Sequence, residues 1–256
     1  MSRIVAFAMA LSGLCLCASS RADDAEDKAV AYVKKLGGTV ARDEKAPGKP
    51  VINVNLFSTK VTDEGLKELA PLKHLTLLAI RDAKVTDAGL KELATFKNLA
   101  TLYLNDTYVT DAGLKELTAL RNLTTLFLGD TPVADVGLKE LAVLNNLTKL
   151  SLRGSYVTDV GLRELAKLRN LTTLSLSDTR VTVVGLRELA TLKHLTSLTL
   201  YGVKMAETGL KELAALKSLT TLDLGRATVT DADLVGSVLL VAVTVTEPAE
   251  IRPGAV

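Results

Sequence analysis

VTDAGLKEL fills residues 85–93 and recurs, letter for letter, at 109–117, 24 positions further on. Near-copies begin at 61 (VTDEGLKEL), 133 (VADVGLKEL), 157 (VTDVGLREL), 181 (VTVVGLREL) and 205 (MAETGLKEL). Seven units of 24 residues therefore run from residue 61 without an insertion or deletion. A strict period of this length is the mark of a chain built by stacking, in which every copy meets the same surroundings.

Each unit reads V-T-D-x-G-L-K-E-L-A-x-L-K-N-L-T-x-L-x-L-x-x-T-x. Its second half, as in LATLYLNDT (99–107), sets leucines two apart with polar partners between them. That spacing predicts a strand with one face buried. The first half places Leu66, Leu69, Ala70 and Leu72 at the i, i+3, i+4 positions of a short amphipathic helix. Thr62 and Asp63 supply an N-cap and an early negative charge. Asn98, Asn122, Asn146 and Asn170 suit a left-handed helix exit. A lone unit leaves its leucines half covered, so its stability has to come from its neighbours.

The motif L-x-x-L-x-L followed by a short helix resembles the leucine-rich repeat, over about residues 52–234. The variant V-T-D-x-G-L-x-x-L-A is similar to the ribonuclease-inhibitor-like group, to the repeats of F-box leucine-rich proteins and to secreted bacterial leucine-rich-repeat proteins. The resemblance implies an α/β right-handed horseshoe, with a parallel sheet on its concave face and short helices on its convex face. One column departs from the family pattern. The Asn or Cys that ties the turn after the strand is Thr59, Thr107, Thr131, Ser155 or Thr179 here, and Ala83, Val203 or Ala227 elsewhere. The expected hydrogen-bond ladder is thus made of hydroxyls and broken in three units. The rival fold is an eight-stranded βα barrel. It would need longer units than these, because 24 residues leave too little chain for a full crossover helix.

The ends divide the chain further. Residues 1–22 read as a signal peptide: Arg3 gives a positive start, Ile4 to Cys17 an apolar stretch, and Ser20-Arg21-Ala22 a cleavage site. That stretch is too short to span a bilayer. The alternative, a lipid anchor on Cys15 or Cys17, sits poorly with the leucine before each cysteine. Residues 23–51 form an N-terminal cap: an amphipathic helix from Asp24 to Leu36, then a hairpin whose second strand, Val51 to Leu56, starts the sheet. Residues 52–234 carry the repeats. Residues 235–256, with the apolar run VLLVAVTVT at 238–246, form a C-terminal cap strand and tail.

Cleavage after Ala22 removes Arg3 and Arg21 from 31 basic residues and leaves 29 against 29 acidic ones. A near-neutral chain argues against nucleic-acid or anionic-membrane binding driven by bulk charge. Both cysteines leave with the signal, and with them any disulfide or thiolate. His74 and His194 stand five units apart in equivalent loops, too far for a shared metal. No phosphate-binding loop or nucleophile–base pair is legible, so neither catalysis nor a cofactor is expected. The Glu column at 68, 92, 116, 140, 164, 188 and 212 reads as a solvated helix face. The N-x-T triplets at Asn105, Asn122, Asn146 and Asn170 matter only where the cell glycosylates.

Departures from the repeat carry more. Between the last two leucines, the outward strand position reads Asn55, Ala79, Tyr103, Phe127, Ser151, Ser175, Thr199, Asp223. Two residues on it reads Phe57, Arg81, Asn105, Gly129, Arg153, Ser177, Tyr201, Gly225. Both columns project from the concave sheet. The Tyr103–Phe127 pair, rimmed by Arg81, Asn105, Lys149 and Arg153, reads as a partner-binding patch facing an acidic protein surface, with Tyr201 and Asp223 as a second contact. A glycan is the less favoured ligand. The expected function is that of a secreted or periplasmic, non-enzymatic binding module. The alternatives are a surface-organising repeat protein without a discrete ligand, or an F-box-type adaptor. For the last, no F-box-like helical segment precedes the repeats.

Overall fold

The paired leucines of each unit stack in register on those of the next, and a parallel sheet follows. The computed structural model describes residues 24–206, 213, 216–226 and 228–230. The expected signal peptide, an eighth helix that the renewed motif VTDADL (229–234) would start, and the C-terminal cap strand lie outside the described residues. Helix α1 covers 24–35. Strand β1 (Thr39–Arg42) then pairs antiparallel with β2 (Val51–Phe57) as the expected hairpin. From β2 onward each unit adds one strand, all parallel: β3 (Leu77–Arg81), β4 (Thr101–Tyr103), β5 (Thr125–Phe127), β6 (Lys149–Ser151), β7 (Thr173–Ser175), β8 (Ser197–Thr199) and β10 (Thr221–Asp223). The register advances 24 residues at every step, as in Leu102 opposite Leu126 opposite Leu150. The sheet stays open, with β1 at one edge and β10 at the other, which disposes of the barrel.

Between strands run α2 (Asp63–Lys67), α3 (Asp87–Leu93), α4 (Asp111–Leu117), α5 (Asp135–Leu141), α6 (Asp159–Leu165) and α7 (Val183–Leu186), each packed on the next. In the second unit Val85, Leu90, Leu93, Phe96, Leu99, Leu102 and Leu104 are all fully buried between the sheet and this helix layer. Two short strands, β9 (Lys204–Ala206) and β11 (Thr228–Thr230), form a separate parallel pair. They continue a column where isolated bridges join Thr62 to Lys84 and Thr86 to Tyr108.

Polar contacts between units are as periodic as the leucines. The Thr86 amide donates to Asp63 Oδ1 at 2.8 Å and its hydroxyl to Asp63 Oδ2 at 2.6 Å. The same pair of bonds joins Thr110 to Asp87, Thr158 to Asp135 and Thr182 to Asp159. Ala134 keeps the amide bond to Asp111 alone. The threonine hydroxyls also cap their own helices, Thr86 accepting from the Ala88 amide at 3.2 Å, although Thr62 makes no such bond. The aspartate placed by the sequence for its effect on the helix dipole therefore has a larger task. It bridges to the following unit.

That bridge explains the invariant glycine. A Cβ on Gly113 would fall inside contact distance of Asp87 Oδ1 and within 3.0 Å of Leu90 Cδ1. Gly89, Gly137, Gly161 and Gly185 each meet the preceding unit's aspartate in the same way. At Gly65 there is no preceding repeat, and the Tyr32 hydroxyl from α1 fills the place of the carboxylate. Burial, with Glu68 nearby, pushes the Tyr32 phenol up from its ordinary pKa.

Two sequence expectations are corrected. The asparagines at helix ends are not the left-handed residues. Positive φ falls just after each strand instead, at Ser58, Asp82, Asp106, Asp130, Gly154, Asp178, Gly202 and Arg226. The Asn side chains serve as rungs, as when Asn122 Nδ2 donates to the Lys97 carbonyl at 2.8 Å. The hydroxyl column, for its part, bonds within its own unit: Thr59, Thr107, Thr131 and Thr179 each donate to the carbonyl three residues back. A serine keeps the column polar at 155, but its buried Oγ has no partner.

Gly113→Ala provides a direct test. In an isolated helix this change gains about 1 kcal/mol; here the carboxylate must move, and a net loss of roughly 1–3 kcal/mol is expected in urea unfolding. Asp87→Ala should also destabilise. The double variant should cost clearly less than the two losses added, because the added methyl then has room.

Candidate functional site

Three residues per unit reach the sheet face that the helices leave open: in the unit of β4, Thr101 and Tyr103 on the strand and Asn105 just after it. The leucines between them turn inward and are fully buried. On β4 and β5 the register sets Tyr103 opposite Phe127. Their rings lie 4.5 Å apart and 3° from parallel. Phe57, from β2, meets Tyr103 edge-on at 5.8 Å and 83°. The sequence reading took the pair and missed this third ring. Phe57 lies two residues along its strand from the position of the other two, with only Ala79 intervening on β3. Stacking leaves Tyr103 and Phe127 half-buried, while Phe57 stays 40% exposed.

The rim is more engaged than its residue types imply. Arg81 Nε donates to Asp106 Oδ2 at 3.0 Å, and Arg153 Nε to Asp178 Oδ2 at 3.3 Å. Each pair spans successive units and answers the arginine charge locally. Asn105 Oδ1 accepts the Gly129 amide at 2.7 Å, so this side chain shapes the strand exit. Asp223 Oδ1 likewise accepts the Gly225 amide at 2.9 Å. Lys149 stands exposed at the start of β6 and makes no ion pair among the described residues. Tyr201 is half-buried, with the Arg226 guanidinium 5.7 Å from its ring centre. Tyr103, Phe127, Arg81, Asn105 and Arg153 thus form one continuous surface, and Tyr201 with Asp223 a separate one near the last strands.

The floor between them is small and hydroxylic: Ser151, Ser175 and Thr199 continue the aromatic column, and Ser175 Oγ lies 3.4 Å from Ser177 Oγ. His74 lines a cleft of about 880 Å³ between the cap and the first repeat, beside Glu26, Asp27, Arg42 and Asp43. Within that cleft Arg42 bonds Glu26 at 2.5 Å and Asp27 at 3.1 Å. Among the described residues no three His, Cys, Asp or Glu side chains come together as a metal site. None of the described helices is long and apolar enough to cross a membrane.

With this geometry in hand, the comparisons are consistent with one another. The family described as Leucine Rich repeat matches residues 53–70, 72–94 and 143–166. Zer-1-like leucine-rich repeats match residues 162–236. Among solved structures, an internalin C2 from Listeria monocytogenes is 27% identical, with a TM-score of 0.58, over 85% of this chain and 92% of that one. An internalin, inlF, from the same species is 22% identical with a TM-score of 0.54, over 82% of this chain and 64% of that one, and bears on fold alone. No curated protein matches. The protein is a leucine-rich-repeat protein, and its open parallel sheet with short alternating helices is the α/β solenoid of that class.

Because both arginine–aspartate pairs are more than half exposed on the arginine side, removing either should cost little. Arg81→Ala and Arg153→Ala are each expected to lower stability by less than about 1 kcal/mol. Leu126→Ala, made on the buried side of the same sheet, should cost roughly 2–5 kcal/mol. Urea midpoints for the three variants check the contrast.

Proposed function

We propose that this protein is a non-enzymatic binding module that takes a protein partner on the open, concave face of its sheet. The observation that carries this reading is the array of Phe57, Tyr103 and Phe127. Tyr103 and Phe127 occupy the outward slot that later strands fill with Ser151, Ser175 and Thr199, and Phe57 packs on Tyr103 from the neighbouring column. Folding needs no aromatic there, since the serine strands hold the same register. Rigid, half-buried rings give a partner much contact area for little lost side-chain freedom.

Among the described residues Lys149 is the cation of the patch that makes no ion pair, and it favours acidic groups on the partner. Arg81 and Arg153 contribute planar guanidinium faces already oriented by Asp106 and Asp178. Tyr201 and Asp223 form a weaker secondary contact. Residues 1–22 deliver the chain outside the cytoplasm, into the periplasm or medium. The similarity to an internalin C2 supports an interaction role for the repeats.

Tyr103→Ala combined with Phe127→Ala should weaken partner capture from the cell envelope by roughly 2–4 kcal/mol while leaving the melting curve close to that of the parent. A double variant that captured the same partner at parental strength would leave the rings as sheet packing. The chain would then be a surface-organising repeat protein without a discrete ligand.

A further inference from the structure

Near-neutral net charge conceals a segregation of sign. In every unit the eight residues from the helix end to the start of the strand, such as 94–101 and 118–125, contain no Asp or Glu. The same stretches carry Lys73, Lys97, Arg121, Lys167, Arg169, Lys193 and Lys217, all exposed. Six of these seven occupy one position of the repeat. Asn145 interrupts the column in the fourth unit, and that unit supplies Lys149 four residues later. At this position successive units are bonded together: Asn98 donates to the Lys73 carbonyl, Asn122 to Lys97, Asn146 to Arg121 and Ser218 to Lys193. The cations therefore stand in file along the edge of the solenoid where the strands begin. From Lys97 to Lys217 the row crosses five strand intervals, about 24 Å at ~4.8 Å each.

Part of the column has a structural use. Arg121 donates to the Val143 carbonyl and Lys193 to the Ala190 carbonyl, as cations near helix ends commonly do. The side chains of Lys97, Arg169 and Lys217 have no hydrogen-bond partner among the described residues, and no ion pair there involves any of the six. Lys167 is paired with Glu164. At the N-terminal end the cap's Glu26, Asp27 and Asp43 line the same cleft as Lys73, so the uncompensated row starts at Lys97. The opposite edge of the sheet mixes signs, Asp82, Asp106, Asp130 and Asp178 lying among Lys60, Lys84 and Arg180.

We propose that this edge binds a linear acidic polysaccharide. A single file of cations matches a linear polyanion better than the two-dimensional surface of a membrane, for which the edge also lacks a band of bulky apolar side chains. Single-stranded nucleic acid would call for exposed aromatics on which bases stack, and the one aromatic in these stretches, Phe96, is fully buried. The groups beside the cations suit sugar hydroxyls instead. Asn98, Asn122, Asn146 and Asn170 use Nδ2 on the neighbouring unit and retain an amide oxygen, and Thr124, Thr148, Thr172 and Thr196 retain lone pairs on hydroxyls that donate one unit back. Only Lys149 lies between this edge and the aromatic patch; the other residues of the two surfaces are different.

The test uses the full chain and fluorescently labelled polygalacturonate, titrated from about 50 to 200 mM salt. Binding should weaken steadily as salt rises. The variant Lys97→Gln/Arg169→Gln/Lys217→Gln, which removes no side-chain hydrogen bond among the described residues, should bind about tenfold more weakly or worse at the lowest salt, and Tyr103→Ala/Phe127→Ala should bind as the parent does. Replacing the lysines by arginine should preserve binding. The proposal is overturned if the parent fails to bind polygalacturonate or the triple variant binds at parental strength. Equal or tighter binding to single-stranded DNA, or to vesicles rich in phosphatidylserine, would also overturn it.

Discussion

The structure depends on one carboxylate that leaves its own repeat. Asp87 opens α4's predecessor, yet both of its oxygens bond to Thr110 in the next unit, and its bulk fills the space a side chain at 113 would need. Hydrogen bonds to a charged acceptor are among the stronger ones a protein makes. Three letters of the motif, the Thr, Asp and Gly of VTDAGL, are therefore one interaction seen from two sides. A substitution at any of them is felt in the adjoining unit. This is why the repeat tolerates Ala or Val at its fourth letter and varies so little at its third and fifth.

The cap reproduces the contact by other means. α1 brings the Tyr32 hydroxyl to Gly65, where a preceding repeat would have placed its aspartate, while Arg42, Glu26 and the Val51 amide tie helix to hairpin. Towards the other end the series is interrupted: residue 183 is a valine, and Asp159 to Thr182 is the last such bond among the described residues. There α7 covers only four residues before continuing as a 3₁₀ turn over Arg187–Thr191. The start of α7 carries the same Thr182–Asp159 bonds as the earlier helices; what it lacks is an acidic residue in its own first turn.

Much of this was legible before any coordinates. Period 24 and the leucine alternation sufficed for an open parallel sheet, because each leucine column has one place to go in a stack. The hairpin at Thr39–Arg42 was legible from the turn-rich stretch before Val51. Bonds between units were not, since Asp and Thr in one motif read as a helix cap whether they act within a repeat or across two. Asn122 misled for a related reason: asparagine favours left-handed backbone and also donates a good side-chain bond, and only the fold decides which. On the open face, Tyr103 and Phe127 stood out as departures from the motif. Phe57 did not, because its contact to Tyr103 is diagonal across strands, and the pairing of Arg81 with Asp106 depends on the turn after the strand.

Native-state hydrogen exchange at the Thr110 amide tests the central contact most directly. That amide's bond runs to the Asp87 carboxylate at 2.8 Å and to no other group among the described residues. If the carboxylate joins the units as argued, the amide exchanges as slowly as the neighbouring core in the parent, and in Asp87→Ala it exchanges faster while the Leu102 and Leu126 amides keep their protection. Fast exchange at Thr110 in the parent, at the rate of an exposed loop, would contradict the account.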